Sequence, residues 1–248
     1  MSARILARYA PWQARDYLFE RGIPVLIICT LFGWLTYGAM AGMRDGLGPE
    51  ALRQLAVALW RSIVPQVALF GTILALNGIV ATDLRQGYFR FLFAKPVSAP
   101  AYYAQSYAIN GLSLGAITLL FFHILARLLG TPTPVWAAGY VLLYFVALGG
   151  IVFLASSASV SWLGRFDWLV ASALWAGGVV THELALRGQR WARLVAPVLP
   201  PSWRTDDVFQ ALVAGVPPPT EPLVHLLAYG AVCFLLGLIV LRYRPLAA

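Results

Sequence analysis

Lys95 is the only lysine among the 18 basic residues of this 248-residue chain. A phosphate-gripping loop needs Gly-Lys-Ser/Thr, because glycine amides cradle the phosphates while the lysine neutralises them. Lys95 follows Ala94 and precedes Pro96, so it cannot serve in such a loop. If ATP drives this protein, the ATPase is another polypeptide. The other reactive side chains form no known constellation. His123, His182, His225 and Glu183 lack the spacing of a metal set, and neither His-Glu-x-x-His nor Gly-x-Ser-x-Gly occurs. The adjacent pair His182-Glu183 reads as a structural or headgroup contact rather than a proton site. Cys29 and Cys233 lie inside apolar runs and read as small buried side chains, not as a disulfide. We therefore assign no catalytic, cofactor-binding or metal-binding residue to this chain.

The chemistry that remains is recognition. Lys95 sits in the most polar stretch between two long apolar runs, Asp83 to Tyr103. There Asp83, Arg85, Gln86 and Arg90 alternate with Tyr88, Phe89, Phe91 and Phe93 around Gly87, and Pro96 and Pro100 close the segment. Aromatic rings beside arginine are the composition of a binding surface, and also of an aromatic belt at a membrane interface. Ser161 to Asp167 repeats the mixture on a smaller scale, with Arg165 and Asp167 beside Trp162 and Phe166.

The elements that must position these loops are membrane spans. The chain is 60% hydrophobic and only 11% charged, against about 25% charged residues in soluble domains. The net charge of +8 is explained by arginines flanking apolar runs, where anionic headgroups hold them, and not by nucleic-acid binding. Six runs are long and apolar enough to cross a bilayer: Gly22–Met43, Ala58–Thr82, Tyr103–Leu129, Val135–Ser159, Trp168–Leu186 and Leu223–Leu241. Gly130 to Pro134 is a tight turn that makes spans three and four a helical hairpin. Basic residues are biased to the side shared by the N-terminus, the Asp83 loop and the C-terminus, which places both termini in the cytoplasm.

Ahead of the first span, Arg4, Arg8 and Arg15 fall within about 40° on a helical wheel, with Ile5, Leu6, Tyr9 and Trp12 beside them. That predicts an amphipathic helix in the headgroup plane over residues 1–21, which Pro11 should kink or split. Residues 187–222, on the opposite side, predict two amphipathic stretches divided by Pro197, Pro200 and Pro201.

Asp83 at the end of span two, then Gly87 and an aromatic, then Leu-Phe-Ala-Lys-Pro-Val-Ser, then Tyr102-Tyr103 at the start of span three, together resemble the permease subunits of type-2 ABC exporters. Asp83 stands where that family usually has Glu, Tyr88 where Thr is common, and Ala99 where Arg usually follows Pro-Val-Ser. The resemblance implies an all-α fold of six transmembrane helices, an interfacial N-terminal helix and a cytoplasmic coupling helix between spans two and three.

It implies that Asp83, Arg85, Gln86, Gly87, Tyr88, Phe89 and Arg90 dock on a separate ABC ATPase subunit, with a smaller contact from Arg165, Phe166 and Asp167. ATP and magnesium would belong to that partner. A second permease copy, or a homologous one, would complete the transporter in the bacterial cytoplasmic membrane, in contact with membrane lipid.

Spans two and five flank the transport path in that family. Gln66, Phe70 and Asn77 share a face of span two, and Ser172 and Trp175 lie on span five; these are the candidate path residues. Interhelical hydrogen bonding is the competing reading of each. Nothing in this lining is charged, which favours an amphipathic or apolar substrate over an ion. The alternative is a polytopic membrane protein outside the ABC class, either a secondary transporter or a scaffold.

Overall fold

The computed structural model describes residues 3–44, 48–86, 98–159 and 166–243. Every described element is a helix. α1 (Ala3–Tyr17) runs through a single π-type stretch (Leu18–Gly22) into α2 (Ile23–Arg44). α3 spans Pro49–Leu76, and α4 is the short Ala81–Gln86. The remaining long helices are α5 (Ala99–Leu129), α6 (Val135–Ala158), α7 (Asp167–Leu186) and α10 (Thr220–Tyr243). Between the last two lie α8 (Arg190–Val195) and α9 (Arg204–Val213). Six segments are long and apolar enough to cross a membrane, as expected, and they read as a multi-pass membrane protein.

α6 is the centre. Its apolar character runs all the way round, as a fully enclosed helix requires, and 72% of its most apolar window is buried, against 22% for the spans that include α2, α7 and α10. α3, α5, α7 and α10 pack around it, and α2 rests on α3 and α5. The tightest contact joins α6 to α10. A Cβ built on Gly150 collides with the Gly230 carbonyl, and one built on Gly230 collides with the Val146 carbonyl. With no hydrophobic drive between helices in lipid, such close backbone approach is the main source of cohesion.

The hairpin between α5 and α6 forms as its sequence demands. Gly130 takes a φ of +68° and caps α5, and the Thr131 amide donates to the Ala126 carbonyl. α8 and α9 fall on the two amphipathic stretches, with the prolines between them.

Two local expectations fail. Pro11 lies inside α1 without splitting it. α1 is instead held against α5: Gln105 Nε2 donates to Gln13 Oε1 (2.9 Å), and the Tyr9 and Tyr102 rings meet edge to face. Span two, expected as one helix through Thr82, stops at Leu76. Residues 77–80 form turns, and α4 begins anew at Ala81.

Candidate functional site

The interruption of span two is the best-defined polar feature of the bundle. Asn77-Gly78 supplies it: Gly78 adopts a φ of +65°, which residues with a Cβ rarely tolerate. Breaking a helix strands carbonyls at the end of one piece and amides at the start of the next. In an apolar setting each stranded group needs a partner. Four other spans provide them. Arg21, in the π-type stretch, donates through Nη1 to the Ala75 carbonyl (2.6 Å), and Asn110 of α5 donates to the same oxygen through Nδ2 (3.0 Å). The Gly78 amide donates to Asp167 Oδ2 of α7 (3.0 Å). The Val80 and Ala81 amides both donate to Ser156 Oγ of α6 (3.2 and 3.1 Å).

The signs of the charges match the helix ends they face. A cation caps the carbonyl end of α3 and an anion caps the amide end at the start of the next segment, the favourable sense for both dipoles. Asn110, Ser156 and Asp167 are all buried, so the joint is an internal device and not a surface patch.

α4 leaves this joint carrying Asp83. The Asp83 carboxylate is half-buried and accepts from the Tyr103 hydroxyl (3.1 Å) at the start of α5. Arg85 and Gln86 continue α4, their side chains lying outside the described residues, as do Gly87, Tyr88, Phe89, Arg90, Lys95 and Arg165 altogether. Phe166 is exposed. Asp167 is 1% exposed and accepts from the Gly78 and Trp168 amides. The carboxylate expected on a partner-facing loop is therefore spent inside the bundle, holding span two.

The expected path residues divide into two sets. On α3, Gln66 is half-buried and Phe70 exposed, Asn77 is exposed at the C-terminal end of the helix, and Phe70 stacks on Phe32 of α2. Ser62 extends this side of α3. Gln54 and Arg61 lie on the opposite side of the helix, where with Glu50 they border an open cavity of about 480 Å³. On α7, Ser172 is half-buried with its hydroxyl enclosed and unpartnered. Trp175 is buried: its indole N–H donates to the Tyr144 hydroxyl (2.7 Å), and its carbonyl accepts from Ser202 Oγ (2.6 Å). The two sets do not meet within one chain, because α3 and α7 each pack on α6 rather than along one another.

At the far end of the bundle α7, α9 and α10 enclose an open cleft of about 930 Å³, with His182 and Glu183 on one wall. The His182 ring lies flat on Trp203 at 4.3 Å, and Arg204 pairs with Glu221 at 2.8 Å. His182 is thus packed against a ring, the environment of a structural side chain.

No protein-family model matches this chain, and no curated protein matches it.

Arg21, Gly78, Asn110 and Ser156 were not singled out from the sequence as site residues. The signal was present in part. Asn77-Gly78 is a turn dipeptide inside an apolar run, Asn110 is a polar intrusion into span three, and Arg21 borders the first span. What no pattern gives is that they converge on one set of backbone atoms.

Proposed function

We propose that this chain is the membrane subunit of an ATP-driven exporter of the type-2 ABC class, coupled through α4 and the residues after it to a separate ATPase. The observation that carries this reading is the position of the joint. From Ala58, where the apolar run begins, to Leu76 is about 28 Å of helix, close to the roughly 30 Å hydrocarbon core. On this reading the break falls near one edge of the core, with most of the crossing already made. The redirected α4 emerges at the membrane surface, where a soluble partner can push on it, and it leads directly into the Gly-aromatic and Pro-Val-Ser stretch. α1, with its arginines on one side, lies at the same end in the headgroup region, and both termini are cytoplasmic.

The exposed polar strip on α3 supports a paired arrangement. Ser62, Gln66 and Asn77 share one side and are poor company for lipid tails, and a second copy or a water-lined path would satisfy them. A specific observation favours a second reading, a secondary transporter: interrupted helices with buried carboxylates are typical of ion-coupled carriers. Their breaks lie near the midplane. This one lies toward one end of the apolar run and away from its middle, which favours the exporter.

The deciding experiment is mild-detergent purification of the tagged protein from its native membrane, with partners identified by mass spectrometry. The exporter reading expects a stoichiometric soluble subunit bearing a phosphate-binding loop, lost when Gly87→Pro distorts the docking segment while membrane insertion is unchanged. Recovery of the intact permease with no ATPase, under conditions that preserve other membrane complexes, would overturn it.

A further inference from the structure

Three charged side chains share the space around the joint, and each is bonded to a neutral group. Arg21 holds the Ala75 carbonyl, Asp83 holds the Tyr103 hydroxyl, and Asp167 holds the Gly78 and Trp168 amides. Both carboxylates lie within electrostatic reach of Arg21. A guanidinium has five donors in a fork that matches a carboxylate, and its strongest bonds are to that group. Glu20, next to Arg21 in the chain, is a third carboxylate within that reach. Unlike charges within reach of one another but bonded to neutral groups, in a setting that screens them weakly, leave room for a second arrangement.

The Ala75 carbonyl is built for that second arrangement. It accepts from two donors, Arg21 and Asn110. If Arg21 departs, Asn110 still satisfies the oxygen, so departure strands no buried acceptor. The joint is also where the regular helical ladder stops. Its bonds are the side-chain caps from Asp167 and Ser156 and two backbone turn bonds, from the Ile79 amide to the Leu76 carbonyl and from the Thr82 amide to the Gly78 carbonyl (both 3.0 Å), with Gly78 supplying the unusual φ.

We propose that Arg21 is a positioning residue that exchanges partners, moving from the Ala75 carbonyl to the Asp83 carboxylate as α4 swings about residues 77–80. Span two then has a capped state, the one described, and a released state held by the Arg21–Asp83 pair. Under the exporter reading, on which this consequence rests, force on α4 would be passed to α1 and α2 through Arg21. The exchange itself belongs to the isolated chain.

The test is hydrogen–deuterium exchange on the full-length protein in lipid nanodiscs with no ATPase present, reading the amides of residues 79–82. Asp83→Asn keeps an acceptor for the Tyr103 hydroxyl but removes the carboxylate that receives Arg21. Asn110→Leu removes the reserve cap, so that Arg21 could leave only by stranding the Ala75 carbonyl. The exchange mechanism expects both variants to open less often, with exchange about tenfold slower at these amides and unchanged at α6, the size of a pairing worth ~1.4 kcal/mol. A fixed joint expects no change for Asp83→Asn and faster exchange for Asn110→Leu, because a cap has been lost. Either of those results overturns the proposal. The exporter reading would survive that failure, and the absence of an ATPase partner would leave the exchange standing.

Discussion

Gly78 must reconcile two constraints at one atom. Its φ of +65° is a conformation that costs residues with a Cβ roughly 1–2 kcal/mol. A Cβ placed there would also overlap Thr82 Oγ1. Gly78→Ala should therefore lower the melting temperature of the purified protein. Gly78→Ala combined with Thr82→Ala should recover the part due to overlap and keep the part due to φ. Thermal melts of the two variants and the unaltered protein in one detergent check this; full stability in Gly78→Ala alone would show that the joint relaxes to another backbone path.

A second residue-scale test concerns Trp175. Its indole N–H is bonded to Tyr144 Oη, which ties α7 to α6. Such interhelical bonds are worth about 0.6–1.7 kcal/mol in membrane proteins. Tyr144→Phe and Trp175→Phe should each destabilise the protein, and the double variant should cost less than their sum, since either change breaks the same bond. Strict additivity would mean that the bond contributes nothing and that Trp175 acts by size alone.

At the scale of elements, α6 and α10 are held by backbone contact. Gly150 and Gly230 have no room for a Cβ, whereas Gly139 and Gly177 face open space. Gly230→Ala and Gly150→Ala should therefore reduce the yield of folded protein sharply. Gly139→Ala should be neutral or better, because alanine is favoured over glycine in a helix by about 1 kcal/mol. Monodisperse yield by size-exclusion chromatography reads this directly, and equal losses at all the glycines would remove the packing explanation.

The same scale shows what was legible beforehand. Six spans, the Gly130 hairpin and the two short helices over residues 187–222 follow from apolar length and from proline and glycine placement, which are local properties. The break after Leu76 was not read, although Asn77-Gly78 announces a turn, because a continuous apolar run outweighs a dipeptide in any windowed reading. The resemblance assigns Asp167 to a partner-facing contact, in a stretch that pairs charge with aromatics. Only the fold reveals that Asp167, at the start of α7, meets the Gly78 amide. Patterns along a chain identify which segments are buried; they do not say which buried atoms a break will strand, or which distant side chain will reach them.

For the molecule as a whole, the surface of a single chain is uneven in a way that lipid alone does not explain. α10 presents Val224, Val232, Leu235, Leu236 and Ile239 outward, a face suited to acyl chains. α3 presents Ser62 and Phe70 on one side, with Asn77 following at its C-terminal end. If a second copy covers the α3 strip, cysteines placed there should meet their counterparts across a two-fold axis, where a residue near the axis faces itself. The native Cys29 and Cys233 are both buried, so they provide a quiet background. Phe70→Cys or Ser62→Cys in native membranes should form a covalent dimer on mild oxidation, whereas Leu236→Cys on the lipid-suited face should stay monomeric. The ratio of dimer at these positions, read by non-reducing electrophoresis at low expression, separates specific pairing from random collision. Equal cross-linking on both faces would mean collision only. Cross-linking on the α10 face alone would move the partner surface to the opposite side of α6, and the polar strip on α3 would then need water, not protein, against it.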